Sequence, residues 1–121
     1  MTWFYSQRTG VLRHGEDIEA TGYSGYALGK NNPDMQNVHD IGPIPRGEYQ
    51  IGTPRDTAEH GPFVLPLAPS MDNVMHGRSG FLIHGDSIAA PGTASHGCII
   101  LGKAAREQIA ASLDNDLKVT E

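Results

Sequence analysis

Glycine and proline are spaced so densely through this chain that long regular elements have little room. Fifteen glycines and eight prolines hold 23 of the 121 positions, where average usage gives about 14 or 15. One residue type weakens helices through backbone freedom, the other by removing an N–H donor. The pattern therefore favours short strands joined by turns and argues against a helical bundle. Only Lys103–Leu113 (KAAREQIAASL) has helix composition, with Ala104, Ile109, Ala110 and Leu113 partly on one face. Trp3–Gln7 alternates large and polar side chains, Thr9-Gly10 breaks the run and Val11-Leu12-Arg13 resumes it, the signature of a hairpin. Gly22, Gly25 and Gly29 punctuate a region holding Tyr23 and Tyr26, and Lys30–Arg46 reads as loop. Glu48–Ile51 alternates with period two. Phe63-Val64-Leu65 is a weaker strand that Pro66 assigns to a sheet edge. Phe81–His84 and Cys98–Leu101 are short apolar strands. The expectation is a mainly β single domain over residues 1–121 with one late helix, large enough to bury a core.

Charge and cysteine content narrow the function classes. Nine basic against fourteen acidic residues leave a formal charge of −5, a poor match to a nucleic-acid backbone. No apolar run reaches the roughly 18 to 20 residues of a membrane helix, so neither nucleic-acid binding nor membrane insertion is expected. Met1–Arg8 has no basic leader and no cleavage site, which points to synthesis in the cytoplasm without a Sec signal. Cys98 is the single cysteine, so an internal disulfide and a four-thiolate zinc site are both excluded.

Chemistry concentrates in Met75–Leu101, which holds Cys98 and three of the six histidines, His76, His84 and His96. A neighbouring imidazole can convert a thiol into a nucleophile near neutral pH. His84 precedes Cys98 by 14 positions, so a loop between adjacent strands could bring the two side chains together. Gly97 and Cys98 offer backbone N–H groups for an oxyanion. A lone cysteine is more often a small core residue, but the preceding His96-Gly97 is not what a core cysteine needs. His84 taken alone reads equally as a hydrogen-bonded core residue. Arg78 reads as a surface cation or a carboxylate clamp, and Asp86 as a turn cap. Gly42–Gly47 reads as structural.

Ile83-His84-Gly85 followed by Ser95-His96-Gly97-Cys98-Ile99 resembles the signature of the L,D-transpeptidase (YkuD-type) catalytic domain. Gly42–Tyr49 is similar to that family's proline-glycine segment, so the likeness spans Gly42–Leu101. The spacer before Ser95 is shorter than in the housekeeping enzymes, and Ile100 stands where many carry arginine or asparagine. With the small size and Gly77-Arg78-Ser79-Gly80, this looks closer to the L,D-transpeptidase-like toxins of type VI secretion systems. The resemblance implies an L,D-transpeptidase-like β-sandwich or barrel, and an enzyme acting on peptidoglycan tetrapeptide stems through a Cys98 acyl-enzyme. It implies His84 as general base, held by a backbone carbonyl, His96 as a polarising or substrate-binding group, and Gly97 and Cys98 as oxyanion donors. Arg78, Ser95, Ser79 and Asp86 form the expected substrate-binding set, with Arg78 on a carboxylate and Ser95 also holding the turn. Neither metal nor organic cofactor is expected. A secretion-system component and a cognate immunity protein are the implied partners, and the periplasm of a target Gram-negative cell is the implied place of action. Two other classes stay open: a zinc hydrolase using His76, His84, His96 and Cys98, and a non-catalytic wall-binding module.

Overall fold

Alternating side chains at the start of the chain become β1 (Trp3–Ser6), which forms the expected hairpin with β2 (Val11–His14) in a computed structural model describing residues 1–121. Trp3 and Tyr5 point into the core while Phe4 and Ser6 face partly outward. The chain continues through β3 (Asp17–Thr21), β4 (Tyr23–Ser24) and two 3₁₀ turns at Ala27–Gly29 and Pro33–Met35. Then follow β5 (Gly47–Ile51), β6 (Arg55–Thr57), β7 (Gly61–Pro69), β8 (Leu82–His84), β9 (Ile99–Ile100), α1 (Lys103–Ser112) and β10 (Asp116–Thr120). The strands join in the order β3-β2-β1-β10-β5-β7-β8-β9-β4, with β6 on β7. Pairing is antiparallel except for β1 with β10 and β8 with β9. The fold is mainly β, a nearly closed sandwich-like sheet with one helix.

A continuous core of 15 residues, including Trp3, Tyr49, Leu65, Ile83, Ile99 and Leu117, fills the inside of this sheet. Ile109 of α1 is one of the fifteen, and Ala105 and Ala110 pack against the cluster. At the outer seam, Trp3 stacks on His14 at 4.0 Å, and His14 Nε2 lies 2.9 Å from Asp114 Oδ2. The Met1 ammonium reaches the same carboxylate at 3.3 Å.

Two expectations are corrected and one strand is added. β7 is not an edge: it runs nine residues between β5 and β8. Pro66 is tolerated there because its nitrogen falls just past the end of β5, where its carbonyl accepts from Gly52 N–H at 2.8 Å and no ladder donor is required. The buried face of α1 carries Arg106 and Ile109, while Leu113 caps the helix in a left-handed conformation (φ 58°) and is 85% exposed. Ala104 is also exposed. Finally, Asp116–Thr120, unassigned above, is a strand buried at Leu117 and Val119 and lies between β1 and β5.

Candidate functional site

The parallel pair β8 and β9 builds the site. Ile83 lies opposite Ile99 and His84 opposite Ile100. Strand alternation sends Ile83 and Ile99 into the core, so His84 and Ile100 take the opposite face. Both line a cleft of about 1100 Å³. Cys98 sits where the chain enters β9, partly exposed. Its Sγ accepts the Leu82 N–H at 3.3 Å.

Electrostatics leave both groups uncharged at rest. Burial pushes the Cys98 thiol above its ordinary value, and Glu59 adds to this; the Leu82 N–H and the Arg78 cation oppose it. His84 is only 3% exposed. Burial holds its pKa below the usual histidine value, with the nearby His60 and Arg106 acting in the same direction. Its Nδ1–H donates to the Gly85 carbonyl at 2.8 Å. In the neutral ring that contact leaves Nε2 as the unprotonated, basic nitrogen. No hydrogen bond joins His84 to Cys98; the imidazole packs instead against His60, with ring centroids 4.4 Å apart. Cys98, just ahead of β9, lies against β8 through the Leu82 N–H, and no polar bond links it to His84 in the resting site.

The turn ahead of Cys98 is rigid for reasons that can be traced atom by atom. Ser95 is fully buried, accepts from Gly25 N–H at 2.8 Å and Gly97 N–H at 3.1 Å, and donates to the Cys98 carbonyl at 2.6 Å. It holds the turn and has no surface for substrate, which removes it from the expected binding set. The same bonds commit the Gly97 N–H, so the oxyanion expectation narrows to Cys98 N–H, which donates to no protein group. Gly97 itself is required: its φ is +136°, and a Cβ would come within 2.5 Å of Arg78 Nη2 and 2.8 Å of Phe81. Ser24 of β4 adds a further tie, donating to the Gly97 carbonyl and accepting from Ile44 N–H.

Arg78 is corrected as well. It is 7% exposed. Nη1 donates to the Gln36 and Pro43 carbonyls, both at 2.7 Å, and Nη2 to those of Gly42 at 2.9 Å and His96 at 3.2 Å. All four terminal N–H groups are engaged by backbone, so no fork is free for a carboxylate. Arg78 instead staples the 36–43 loop to the turn before the cysteine. Asp86 also proves local: it accepts from Tyr23 Oη at 2.6 Å, Ser87 N–H at 2.8 Å and Gly92 N–H at 3.0 Å, closing the 85–94 loop. Those bonds hold its carboxyl below the usual range against the opposing effect of desolvation.

His96 is exposed, stacks on Tyr26 at 5.2 Å and donates from Nδ1 to the Asp40 carbonyl at 3.1 Å. With exposed Ser79 it borders a small depression of about 190 Å³, separate from the cleft of His84. The four zinc candidates do not converge: no three His, Cys, Asp or Glu side chains gather closely enough to hold a metal ion. The zinc-hydrolase reading is thereby left without a ligand set.

Two residues at the cleft escaped the sequence reading. His60 reaches His84 from the β6–β7 turn, a meeting made by sheet order and carrying no local signal. Arg106 left a trace, a cation spaced three before Ile109 on the apolar face of α1.

The profile of the Tlde1 domain matches residues 18–120, which takes in every element from β4 to β10, all of β3 but its first residue, and the whole site. No curated protein matches the chain. No helix is long and apolar enough to cross a membrane. With nearly its full length matched, the chain belongs to the Tlde1 domain family, a family of type VI secretion effectors.

Proposed function

We propose that this effector is a cysteine-dependent enzyme that trims or exchanges the D-alanine of peptidoglycan tetrapeptide stems. The observation that carries the reading is a partly exposed cysteine at the entry to β9 beside β8, which carries a neutral histidine whose Nδ1 is fixed and whose Nε2 is basic. The Ser95-His96-Gly97-Cys98 run and the family's secreted-effector context support the same choice.

In the proposed reaction the stem's third-residue carbonyl approaches Sγ. Substrate closure brings His84 Nε2 into reach of the thiol proton, since hydrogen bonds of a resting site often tighten only in the complex. Sγ attacks the carbonyl carbon, and the developing oxyanion takes the free Cys98 N–H. His84 then delivers the proton to the D-alanine nitrogen as the C–N bond breaks, leaving a thioester and free D-alanine. Water, deprotonated by His84, attacks the thioester; the C–S bond breaks and His84 returns the proton to sulfur, giving carboxypeptidase activity. An incoming D-amino acid amine in place of water gives exchange. His96 is assigned a substrate-contacting role on the far side of the turn, and Ser79 borders the same depression.

The test is direct. Purified tetrapeptide muropeptides incubated with the protein, with and without an added D-amino acid, should yield tripeptides or exchanged tetrapeptides by mass spectrometry. Cys98→Ala should abolish both products while keeping the native circular dichroism spectrum. Unchanged turnover by folded Cys98→Ala would overturn the mechanism.

A further inference from the structure

Arg106 differs from Arg78 in one respect that decides its chemistry. Both guanidinium groups are buried, Arg106 at 5% exposure. Arg106 Nε donates to the Leu101 carbonyl at 3.1 Å, and Nη1 to those of Pro62 at 2.8 Å and Phe63 at 2.9 Å. Nη2 has no protein partner. It is not sealed off either: Tyr5 Oη is the only fully buried side-chain polar atom in the molecule left without one. Nη2 is therefore open to the cleft that Arg106 lines together with His84.

The cleft is shaped around that nitrogen. Gly85, directly after His84, leaves the space into which Nη2 projects, and a Cβ there would stand 2.9 Å from it. Besides Arg106 and His84, the charged or titratable groups lining the cleft are Lys103, His60, Glu59, Asp86 and Tyr23. Asp86 is engaged by Tyr23 and two backbone N–H groups. Glu59 is 86% exposed at its side chain and lies 3.8 Å from His60. No carboxylate forms an ion pair with Arg106; Glu107 acts on its cation only through space. A buried cation held rigidly by three carbonyls, with an unused N–H edge facing a cleft, is built to receive an anion from outside.

We infer that Arg106 Nη2 binds the terminal carboxylate of the peptide stem, that of the departing D-alanine. This rests on the proposed reading of the site. The placement follows from covalent geometry: His84 must reach the departing nitrogen, and the carboxylate is one carbon beyond it. Arg106 adjoins His84 across Gly85, so one amino acid spans the two groups. The same contact would impose a preference for a free C-terminus, because an amide brings no charge to the unused edge. Arg106 is thus a specificity-determining residue.

Two peptides separate the possibilities: a tetrapeptide stem ending in D-alanine, and the same stem ending in D-alaninamide. Binding is measured by calorimetry on Cys98→Ala protein, which needs no turnover, and kcat/KM on the wild type. The free acid should bind about 10- to 100-fold more tightly than the amide. Adding Arg106→Gln, with folding checked by circular dichroism, should reduce that preference to about 2-fold or less. Lys103→Ala, at the exposed mouth of the same cleft, should retain it. Equal affinity for acid and amide overturns the inference even if Arg106→Gln fails to fold, and so does a preference lost in Lys103→Ala. Turnover with equal affinities discards the Arg106 site and keeps the enzyme. Acid preference without turnover keeps the site and discards the enzyme.

Discussion

At the scale of single residues, the site is a thiol and an imidazole that are both neutral before substrate arrives. Catalysis that uses His84 as a base needs it unprotonated. Its pKa lies below the ordinary histidine value because the ring is buried. The acid limb of kcat/KM should therefore fall below about pH 6.5: activity rises as pH rises through the His84 pKa and is already near its plateau at pH 7. A limb centred above pH 7 in a profile from pH 4 to 9 would remove His84 from that role. The thiol, raised by burial, should react with iodoacetamide at pH 7 more slowly than free cysteine and accelerate steeply with rising pH. Mass spectrometry of the adduct at Cys98 gives both rate and position. A rapid, pH-independent reaction would mean a resting thiolate and no need for a base.

At the scale of elements, the important one is the turn 95–98, with a loop clamped behind it. Arg78→Lys should be far from conservative, because an ammonium cannot serve four carbonyls arranged around a planar fork. Losing these charge-assisted bonds should cost at least about 3 kcal/mol. That lowers the Tm by about 10 °C or more for a domain of this size. Gly97→Ala should cost at least about 2 kcal/mol through backbone strain and overpacking together, with loss of turnover. Tm and muropeptide conversion check both, and a wild-type Tm in either variant contradicts the clamp. This element also shows where the sequence is legible. Ser95-His96-Gly97-Cys98 is contiguous, so its turn and its thiol can be read along the chain. The duty of Arg78 cannot, because it depends on where the 36–43 carbonyls come to rest. His60 and Arg106 reach His84 only through the order β6-β7-β8 and the docking of α1. The strand Asp116–Thr120 alternates correctly, yet five residues of period two carry little weight until a partner is known.

At the scale of the molecule, the proposed substrate sets where activity should matter. We expect expression confined to the cytoplasm to be harmless, and the same chain fused to a Sec signal peptide to inhibit growth of a Gram-negative host. Tetrapeptide stems should be depleted or converted to tripeptides, and both effects should vanish with Cys98→Ala. Growth and muropeptide profiles of the three strains decide it; toxicity confined to the cytoplasmic version, with an unchanged wall, contradicts peptidoglycan as the target. One further consequence lies in the pairing of β1 with β10. These strands are neighbours, run parallel and match residue for residue from Trp3 opposite Leu117 to Ser6 opposite Thr120. A force gripping the chain ahead of Trp3 and beyond Thr120 pulls them along their own length in opposite directions. Their hydrogen bonds are then loaded in shear, together, instead of being unzipped one at a time. β10 is also held on its other side by β5, so neither strand can peel away singly. Stretched between those two points, the domain should give way in a single abrupt rupture at high force, whereas tension applied across the β2–β3 hairpin should open it gradually.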